Sequence, residues 1–191
     1  MNKTKCVVMV GPSGCGKSTM SKEFETQGYE IFSSDEYRRR RWGKEEIQGD
    51  PKYIFERLHV DAARSLREGH NIVIDATNIK AVDREALLNQ LNALSNKERS
   101  ELAFIAIDFS DVSLLTCLEN NQKRERHVPE HVIAKQFLRF MDESLEKWDY
   151  PEGFDLVIKS KDEDMFEKIA ALDGRGDDGI ENENDFDLTV E

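Results

Sequence analysis

The sequence predicts an α/β protein with three layers, in which helices cover both faces of a mainly parallel sheet of about five strands. Two observations lead to this prediction. Short apolar runs recur along the chain, and longer amphipathic stretches separate them. Strands that are apolar almost throughout are typical of parallel sheets buried on both faces, and their alternation with helices is typical of α/β domains.

This alternation predicts five strands and six helical windows. The predicted strands cover residues 5–10, 30–33, 71–75, 101–109 and 154–159. The predicted helices cover 17–27, 51–67, 81–95, 111–122, 129–147 and 162–172. In the fifth helix, Pro129 stands where a first turn tolerates proline. Six apolar residues of that helix share one face: Val132, Ile133, Phe137, Phe140, Met141 and Leu145.

The charge distribution divides the chain into a domain and a tail. The 191 residues carry a net charge of −12, and the stretch from Asp173 onward holds eight acidic residues against one basic residue. So few apolar residues cannot offset the entropy lost on ordering. We therefore expect one domain over 1–172 and a flexible acidic tail over 173–191. A docking segment built on "DFDLTV" is the alternative interpretation of the tail.

Cysteine usage and hydropathy give expectations about the environment of the protein. The three cysteines, Cys6, Cys15 and Cys117, show neither the paired spacing of metal ligands nor that of a disulfide framework. The sequence has no apolar signal segment at its N-terminus and no run of eighteen apolar residues. A cytoplasmic protein without membrane association is the expectation.

A glycine-rich turn follows the first predicted strand and matches G-x-x-x-x-G-K-[ST]. Its glycines let backbone N–H groups converge on an anion, and the helix that begins there adds its positive end. Lys17 would bring charge to the outer phosphates, and the Ser18 hydroxyl would be a ligand of Mg²⁺. The motif predicts binding of Mg²⁺ and a nucleoside triphosphate. The expected nucleotide-binding residues are Gly11, Ser13, Gly14, Cys15, Gly16, Lys17, Ser18 and Thr19.

Asp35 follows the second predicted strand, in "YEIFSSDEYRRRRW", where a strongly basic helix begins. Ligands of open α/β sheets bind beyond the carboxyl ends of the strands, so Asp35 is placed to accept a proton from an attacking hydroxyl. The plainer interpretation is that Ser34 or Asp35 caps the helix.

Four arginines, Arg38 to Arg41, stand one turn beyond Asp35. Because guanidinium groups bind phosphates in a bidentate way, the cluster suggests an anionic acceptor, with Arg38 as its ligand. Arg39–Arg41 would add general positive potential. Arg38 or Arg39 could instead simply pair with Asp35.

The third predicted strand ends in "NIVIDATNIKAVDRE", which places Asp75 at its carboxyl end. Asp75 would position Mg²⁺ through water or hold the arginines on the acceptor side, and a structural role in capping the turn is the alternative. Asn78 and Arg84 follow in the same segment and are further candidates for acceptor binding.

The last candidate segment is "NNQKRERHVPEHVI". Arg124 and Arg126 lie on a charged stretch ahead of Pro129, and mobile basic segments of this kind close over the β- and γ-phosphates. A solvated helix end is the alternative. His127 and His131 are four residues apart, but Pro129 argues against a shared metal site.

The order of these motifs resembles the kinase domain of phage and bacterial end-healing 5′-polynucleotide kinases. The resemblance is carried by the glycine-rich loop, "SDEYR", "DATN" and an Arg-x-Arg segment ahead of "VP", over residues 5 to 160. It implies a P-loop kinase fold with ATP and Mg²⁺ as cofactors. In that family the matching residues make Asp35 the general base, Arg38 the ligand of an acceptor phosphate, and Arg126 the catalytic arginine, with Arg124 as its rival; an aspartate matching Asp75 is required.

Three functions remain open from the sequence. The first is transfer of the γ-phosphate of ATP to the 5′-hydroxyl end of DNA or RNA, with nucleic acid as partner. The second is a kinase of the same fold acting on a nucleoside, sugar or nucleotide-sugar, which the acidic composition favours, since nucleic-acid binders are usually basic. The third is an ATPase or switch that transfers phosphate to no acceptor.

Overall fold

A computed structural model describes residues 2–43, 51–125, 127–143, 145 and 153–173. Within these residues five parallel strands form one sheet in the order β2-β3-β1-β4-β5. The strands are β1 (Thr4–Val10), β2 (Glu30–Ser33), β3 (Ile72–Asp75), β4 (Leu102–Asp108) and β5 (Leu156–Lys159). The predicted parallel sheet of five strands is therefore confirmed.

Seven α-helices connect or follow these strands in the described part of the chain. They are α1 (Lys17–Thr26), α2 (Ser34–Trp42), α3 (Pro51–Glu68), α4 (Ala81–Ser95), α5 (Leu114–Gln122), α6 (Glu130–Asp142) and α7 (Met165–Ala170). A 3₁₀ turn, Arg99–Glu101, precedes β4, and another, Ala171–Asp173, follows α7 at the end of the described residues. No helix of the described residues has both the length and the apolar content that a bilayer span requires.

Helix α2 was not among the helices predicted from apolar periodicity, and the sequence indicated only where it begins. Its sequence, SDEYRRRRW, has too few apolar residues to show a helical stripe. Charge pairs at helical spacing replace that stripe, because Glu36 contacts both Arg39 and Arg40. The helix ends at Gly43, whose positive φ of 72° is easily adopted by glycine.

The sheet is buried on both faces because β1 alternates between two hydrophobic clusters. Cys6, Val8 and Val10 face one cluster, which α3, α4 and α6 complete. Val7 and Met9 face the other, which includes residues of α1, α5 and α7. The two clusters are the interfaces between the sheet and its two helical layers, which confirms the three predicted layers. Polar residues lie at the carboxyl ends of the strands.

The apolar face predicted for the fifth helix is confirmed only in part, because Ile133 and Phe140 of α6 pack into different hydrophobic clusters and Leu145 lies beyond the end of α6. Ile133 and Phe140 are fully buried and Leu145 is 4% exposed, whereas Met141 is 43% exposed. The prediction for Met141 was wrong because it lies at the margin of the apolar stripe, where the helix meets solvent.

The predicted acidic tail lies almost wholly outside the described residues. Its first residue, Asp173, accepts hydrogen bonds from the Lys3 backbone N–H at 3.3 Å and from Lys5 Nζ at 2.6 Å. The boundary between the domain and the tail remains a prediction, as do residues 174–191.

Candidate active site

The glycine-rich turn joins β1 to α1 at the carboxyl edge of the sheet. Gly14 and Gly16 have φ angles of 87° and 109°, a region that other residues rarely adopt. A Cβ on Gly14 would lie 2.2 Å from the Cys117 carbonyl oxygen, so helix α5 packs directly against the loop. Asn120 strengthens this contact by donating from its side chain to the Gly14 carbonyl at 2.9 Å. The loop is thus built from tight backbone contacts that require glycine.

Lys17 lies at the start of α1 and is only 7% exposed. Its Nζ donates to the carbonyl oxygens of Gly11 at 2.9 Å and Pro12 at 2.6 Å, and lies 3.6 Å from Cys15 Sγ. Burial raises the pKa of the Cys15 thiol, although the nearby Lys17 opposes the shift. The raised pKa keeps the thiol neutral. Lys17 Nζ therefore lies inside the loop, bonded to two of its carbonyl oxygens.

The turn after β3 is bound to the glycine-rich loop. The Gly11 N–H donates to the Thr77 carbonyl at 2.9 Å, and Asn78 Nδ2 donates to the Met9 carbonyl at 2.8 Å. Asn78 has a φ of 47°, which asparagine tolerates better than most residues. Asn78, predicted to bind the acceptor, has its side-chain amide engaged in fixing this turn.

Arg84 requires a correction. We expected it to contact the acceptor, but its side chain is fully buried. Its guanidinium donates to the carbonyl oxygens of Asn78, Ile79 and Glu143 at 3.1, 2.5 and 3.0 Å. The buried guanidinium satisfies these carbonyls and ties α4 to the end of α6. Arg84 is placed to position the turn after β3, and not to contact an acceptor.

Asp75 lies at the end of β3, 7% exposed, beside the glycine-rich loop. Burial raises the pKa of Asp75, while the charge of Lys17 and a hydrogen bond from the Ser18 side chain oppose the shift. Asp35 pushes the pKa up and Arg124 pushes it down. Five predicted site residues from four parts of the chain are therefore close enough to interact electrostatically.

Asp35 and Arg38 form an ion pair in the first turns of α2. Arg38 Nη1 lies 2.7 Å from Asp35 Oδ1 and 3.4 Å from Ser34 Oγ. The Asp35 side chain is 46% exposed, whereas that of Arg38 is 11% exposed. Among the described residues, Arg38 Nε is buried without a hydrogen-bond partner. The N-cap of α2 is Ser33, so the proposed capping by Ser34 or Asp35 is wrong.

The other three arginines of α2 lie on its exposed side. Arg39 and Arg40 both pair with Glu36, at 2.7 and 2.9 Å. The Arg41 guanidinium lies 5.8 Å from the centre of the Tyr53 ring, in a cation–π contact. Their positions agree with the general electrostatic role expected of them.

Arg124 lies in the loop between α5 and α6, and it interacts electrostatically with Asp75, Cys15 and Cys117. Asn121 closes the base of this loop, because its side chain donates to the Val128 carbonyl and accepts from the Val128 N–H, both at 2.9 Å. Arg124 thus faces the glycine-rich loop. Arg126, the preferred catalytic arginine, lies outside the described residues.

The residues at this edge fit a magnesium–nucleotide complex. Gly11 and Gly14 leave no room for a Cβ atom, Gly14 and Gly16 adopt positive φ angles, and Lys17 supplies a buried cation. The Ser18 hydroxyl bonded to the Asp75 carboxylate is an oxygen set that suits Mg²⁺ bound through one or two protein ligands. Thr19 is exposed at the next position of α1.

Sequence reasoning missed the side chains that support the site. Gln136 of α6 accepts a hydrogen bond from the Ser13 N–H at 2.9 Å, and Asn120 and Asn121 hold the loop and the segment after α5. The pair of asparagines at the end of a predicted helix was the only signal available. Asp108, buried at the end of β4, was also missed, and it accepts from Lys159 Nζ at 2.8 Å.

Solved structures with low sequence identity share this fold. A chain of the Pnkp1/Rnl/Hen1 RNA repair complex aligns with a TM-score of 0.59 and 19% identity, covering 79% of this chain and 48% of that chain. A fungal RNA kinase aligns at 0.53 and 18%, covering 85% and 78%. The Deinococcus radiodurans tunicamycin resistance protein aligns at 0.56 and 15%, covering 91% and 98%.

This chain therefore spans about half the length of the repair-complex chain. The likenesses establish the P-loop kinase fold predicted from the sequence. No curated protein matches the sequence. A family described as an AAA domain matches residues 6–143, and the chain belongs to that family.

Proposed function

We propose that this protein is an ATP- and Mg²⁺-dependent kinase that phosphorylates the 5′-hydroxyl end of DNA or RNA. The observation that carries the proposal is the Asp35–Arg38 pair. A half-exposed carboxylate touches a buried guanidinium whose Nε has no partner among the described residues. A base for a hydroxyl and a ligand for an acceptor phosphate thus stand side by side, close to Lys17 and Asp75.

Asp35 acts as the general base in this proposal. Arg38 engages Asp35 Oδ1 and orients the carboxylate, which takes the proton of the attacking 5′-hydroxyl. A base of this kind contributes about 10²–10⁴-fold to the rate. Arg38 binds the phosphate on the 3′ side of the first nucleotide, and that contact gives its buried Nε a partner.

Lys17, Arg124 and Arg126 stabilise the charge of the transferring phosphoryl group. Lys17 and the loop N–H groups act from the P-loop side, and the two arginines act from the segment after α5. Ser18, whose side chain is bonded to Asp75, would hold Mg²⁺, which would supply charge neutralisation at the phosphate oxygens. Asp75 orients the Ser18 hydroxyl through their hydrogen bond.

A kinase of a small acceptor is the second candidate. The net charge of −12 favours it, since a polyanion gains less from an acidic protein. Nucleic acid remains preferred because Arg38, whose Nε has no partner among the described residues, suits a phosphate beside the hydroxyl, as occurs in a polynucleotide or a nucleoside 3′-phosphate.

The test is transfer of labelled γ-phosphate from ATP to matched acceptors. The acceptors are 5′-OH DNA and RNA oligomers, a nucleoside 3′-phosphate, the bare nucleoside and a set of sugars. We expect labelled oligomers and nucleoside 3′-phosphate, and a loss of about 10²–10⁴-fold in Asp35→Asn. Arg38→Gln should reduce kcat/KM for the nucleoside 3′-phosphate far more than for the bare nucleoside.

Arg40→Gln is the matched control, because Arg40 lies on the same helix with a 71% exposed side chain. If only sugars or nucleosides are labelled, the proposed kinase mechanism holds, but the acceptor is a small molecule and not a nucleic acid. Free phosphate at equal rates from the wild type and Asp35→Asn would show an ATPase and refute the proposal.

A further inference from the structure

A second cleft, lined by both apolar and charged residues, lies between the turn after β3 and helix α6. Its volume is about 310 Å³. The turn and the start of α4 form one wall, and one face of α6 forms the other. The lining residues are Thr77, Ile79, Lys80, Asp83, His131, Val132, Lys135, Gln136 and Arg139.

The cleft is positively charged on a protein whose net charge is negative. Lys80, Lys135 and Arg139 line it; Asp83 lies 3.8 Å from Lys80 Nζ and Glu143 pairs with Arg139, which leaves the charge of Lys135 without a counterion among the described residues. Lys135 is exposed and makes no ion pair within the described residues. A local excess of positive charge on an acidic body is best explained by an anionic ligand.

The walls of the cleft are held together by Glu143. Its carboxylate accepts from the Ala81 N–H at the start of α4 and from Arg139 Nε, both at 2.7 Å. Although partial burial opposes the shift, these two hydrogen bonds lower the pKa of Glu143 and keep it ionised. Buried Arg84 adds a bond to the Glu143 carbonyl. Arg139 is thereby oriented while its side chain stays 55% exposed.

The cleft is continuous with the candidate active site. Gln136 lines it and also accepts the hydrogen bond from the Ser13 N–H of the glycine-rich loop. Thr77 lines it and binds the Gly11 N–H through its carbonyl, two residues beyond Asp75. A ligand chain that leaves the active site past Thr77 would therefore enter this cleft.

We infer that this cleft binds the second and following phosphates of the acceptor strand. The inference rests on the proposed function and deepens it, because it makes the substrate a polynucleotide. The face of α6 from His131 to Arg139 is about 12 Å long at 1.5 Å per residue. A stacked strand advances 3.4 Å per nucleotide, so the backbone of about three nucleotides can run along this face of the cleft. Lys80 and Lys135 contact their phosphates, and Arg139 contacts the most distant one.

The experiment measures kcat/KM for 5′-OH acceptors of increasing length, from the nucleoside 3′-phosphate to a decamer. For the wild type we expect a rise over the first three or four nucleotides and then a plateau. The double variant Lys80→Gln/Lys135→Gln should lower the ratio of decamer to mononucleotide kcat/KM by about tenfold. The slope of log kcat/KM against log salt for the decamer should fall by about 0.7 for each lost contact.

Lys97→Gln is the control, since Lys97 precedes the amino end of β4, at the opposite edge of the sheet. It should change neither the ratio nor the slope. Suppose that kcat/KM of the wild type rises with acceptor length and that the double variant keeps the same rise and the same salt slope. The strand then does not run through the cleft, and the inference fails while the proposed function stands. If the wild type labels no oligomer, the proposed substrate fails, and the inference fails with it.

Discussion

Two aspartates end the strands on either side of β1, and the protein uses them in opposite ways. Asp75 ends β3 and Asp108 ends β4, and each belongs to a strand that pairs with β1. Asp108 is fully buried and accepts hydrogen bonds from the Ser110 N–H and Oγ, both at 3.0 Å, and from Lys159 Nζ at 2.8 Å. Asp75 lies beside Lys17 and Ser18 with a raised pKa.

The difference shows that position at a strand end does not by itself make an aspartate functional. The hydrogen bonds of Asp108 come from its own turn and the neighbouring strand β5, so its charge stabilises local structure. Asp75 faces a loop whose backbone and Lys17 suit an anion, and burial leaves its charge less well compensated. A buried carboxylate whose pKa is raised beside a cation is typical of a working site.

The largest expected effect is the loss of stability in Asp108→Ala. The change removes the carboxylate that accepts from the Ser110 N–H and from Lys159 Nζ, and breaking a buried pair costs about 3–5 kcal/mol. We expect about 3 kcal/mol, since Lys159 is 37% exposed and regains water. Thermal unfolding should show a Tm lower by about 6–12 °C. Normal stability with lost phosphoryl transfer would place Asp108 in the active site instead.

Asp75→Asn is expected to lower activity. Groups that orient a metal ligand typically contribute about 10–100-fold to activity, and Asp75 orients Ser18 in the proposed mechanism. Phosphoryl transfer at saturating ATP should fall by that factor, and the fall should be smaller at high Mg²⁺. Full activity at limiting Mg²⁺ would remove Asp75 from the proposed site.

Asp75→Asn is also expected to raise stability, with a defined pH dependence. Burial raises the pKa of Asp75 above its unfolded value of about 3.9, so ionisation costs stability at neutral pH and not below about pH 4. The variant should be more stable by roughly 0.5–2 kcal/mol at pH 8, the usual range for stabilising changes. Denaturant unfolding from pH 8 to 4 should show that the difference in unfolding free energy between the variant and the wild type becomes smaller. A difference that widens toward acid would contradict the raised pKa.

The fold was largely predictable because local patterns and the sheet agree. Strands β1, β3 and β4 are apolar almost throughout, and a strand of that kind has a stable place only inside a parallel sheet covered by helices. Helix α2 was harder to predict, because its helical structure depends on pairs between Glu36 and two arginines and not on an apolar face.

The candidate site was predictable where chemistry is written in short motifs. The glycine-rich loop, Asp35 with Arg38, and Asp75 meet at one edge because parallel strands end together. Arg84 was assigned wrongly, since nothing in its neighbouring residues shows that its guanidinium is buried against three carbonyls. Gln136 was missed because its partner, Ser13, is distant in the sequence, and Asn121 because its partner, Val128, lies across a loop.

The sequence alone determined the order of strands and helices along the chain, the loop that suits phosphate, and the positions of Asp35 and Asp75 at or just after the ends of two of the strands. These features depend on residue spacing, side-chain type and backbone freedom, which are local. The tertiary structure decided which charges are buried and paired, because burial and pairing depend on contacts between distant residues. Only those contacts separated Asp75 from Asp108, turned Arg84 into a support, and brought Lys80 and Lys135 together beside the active site.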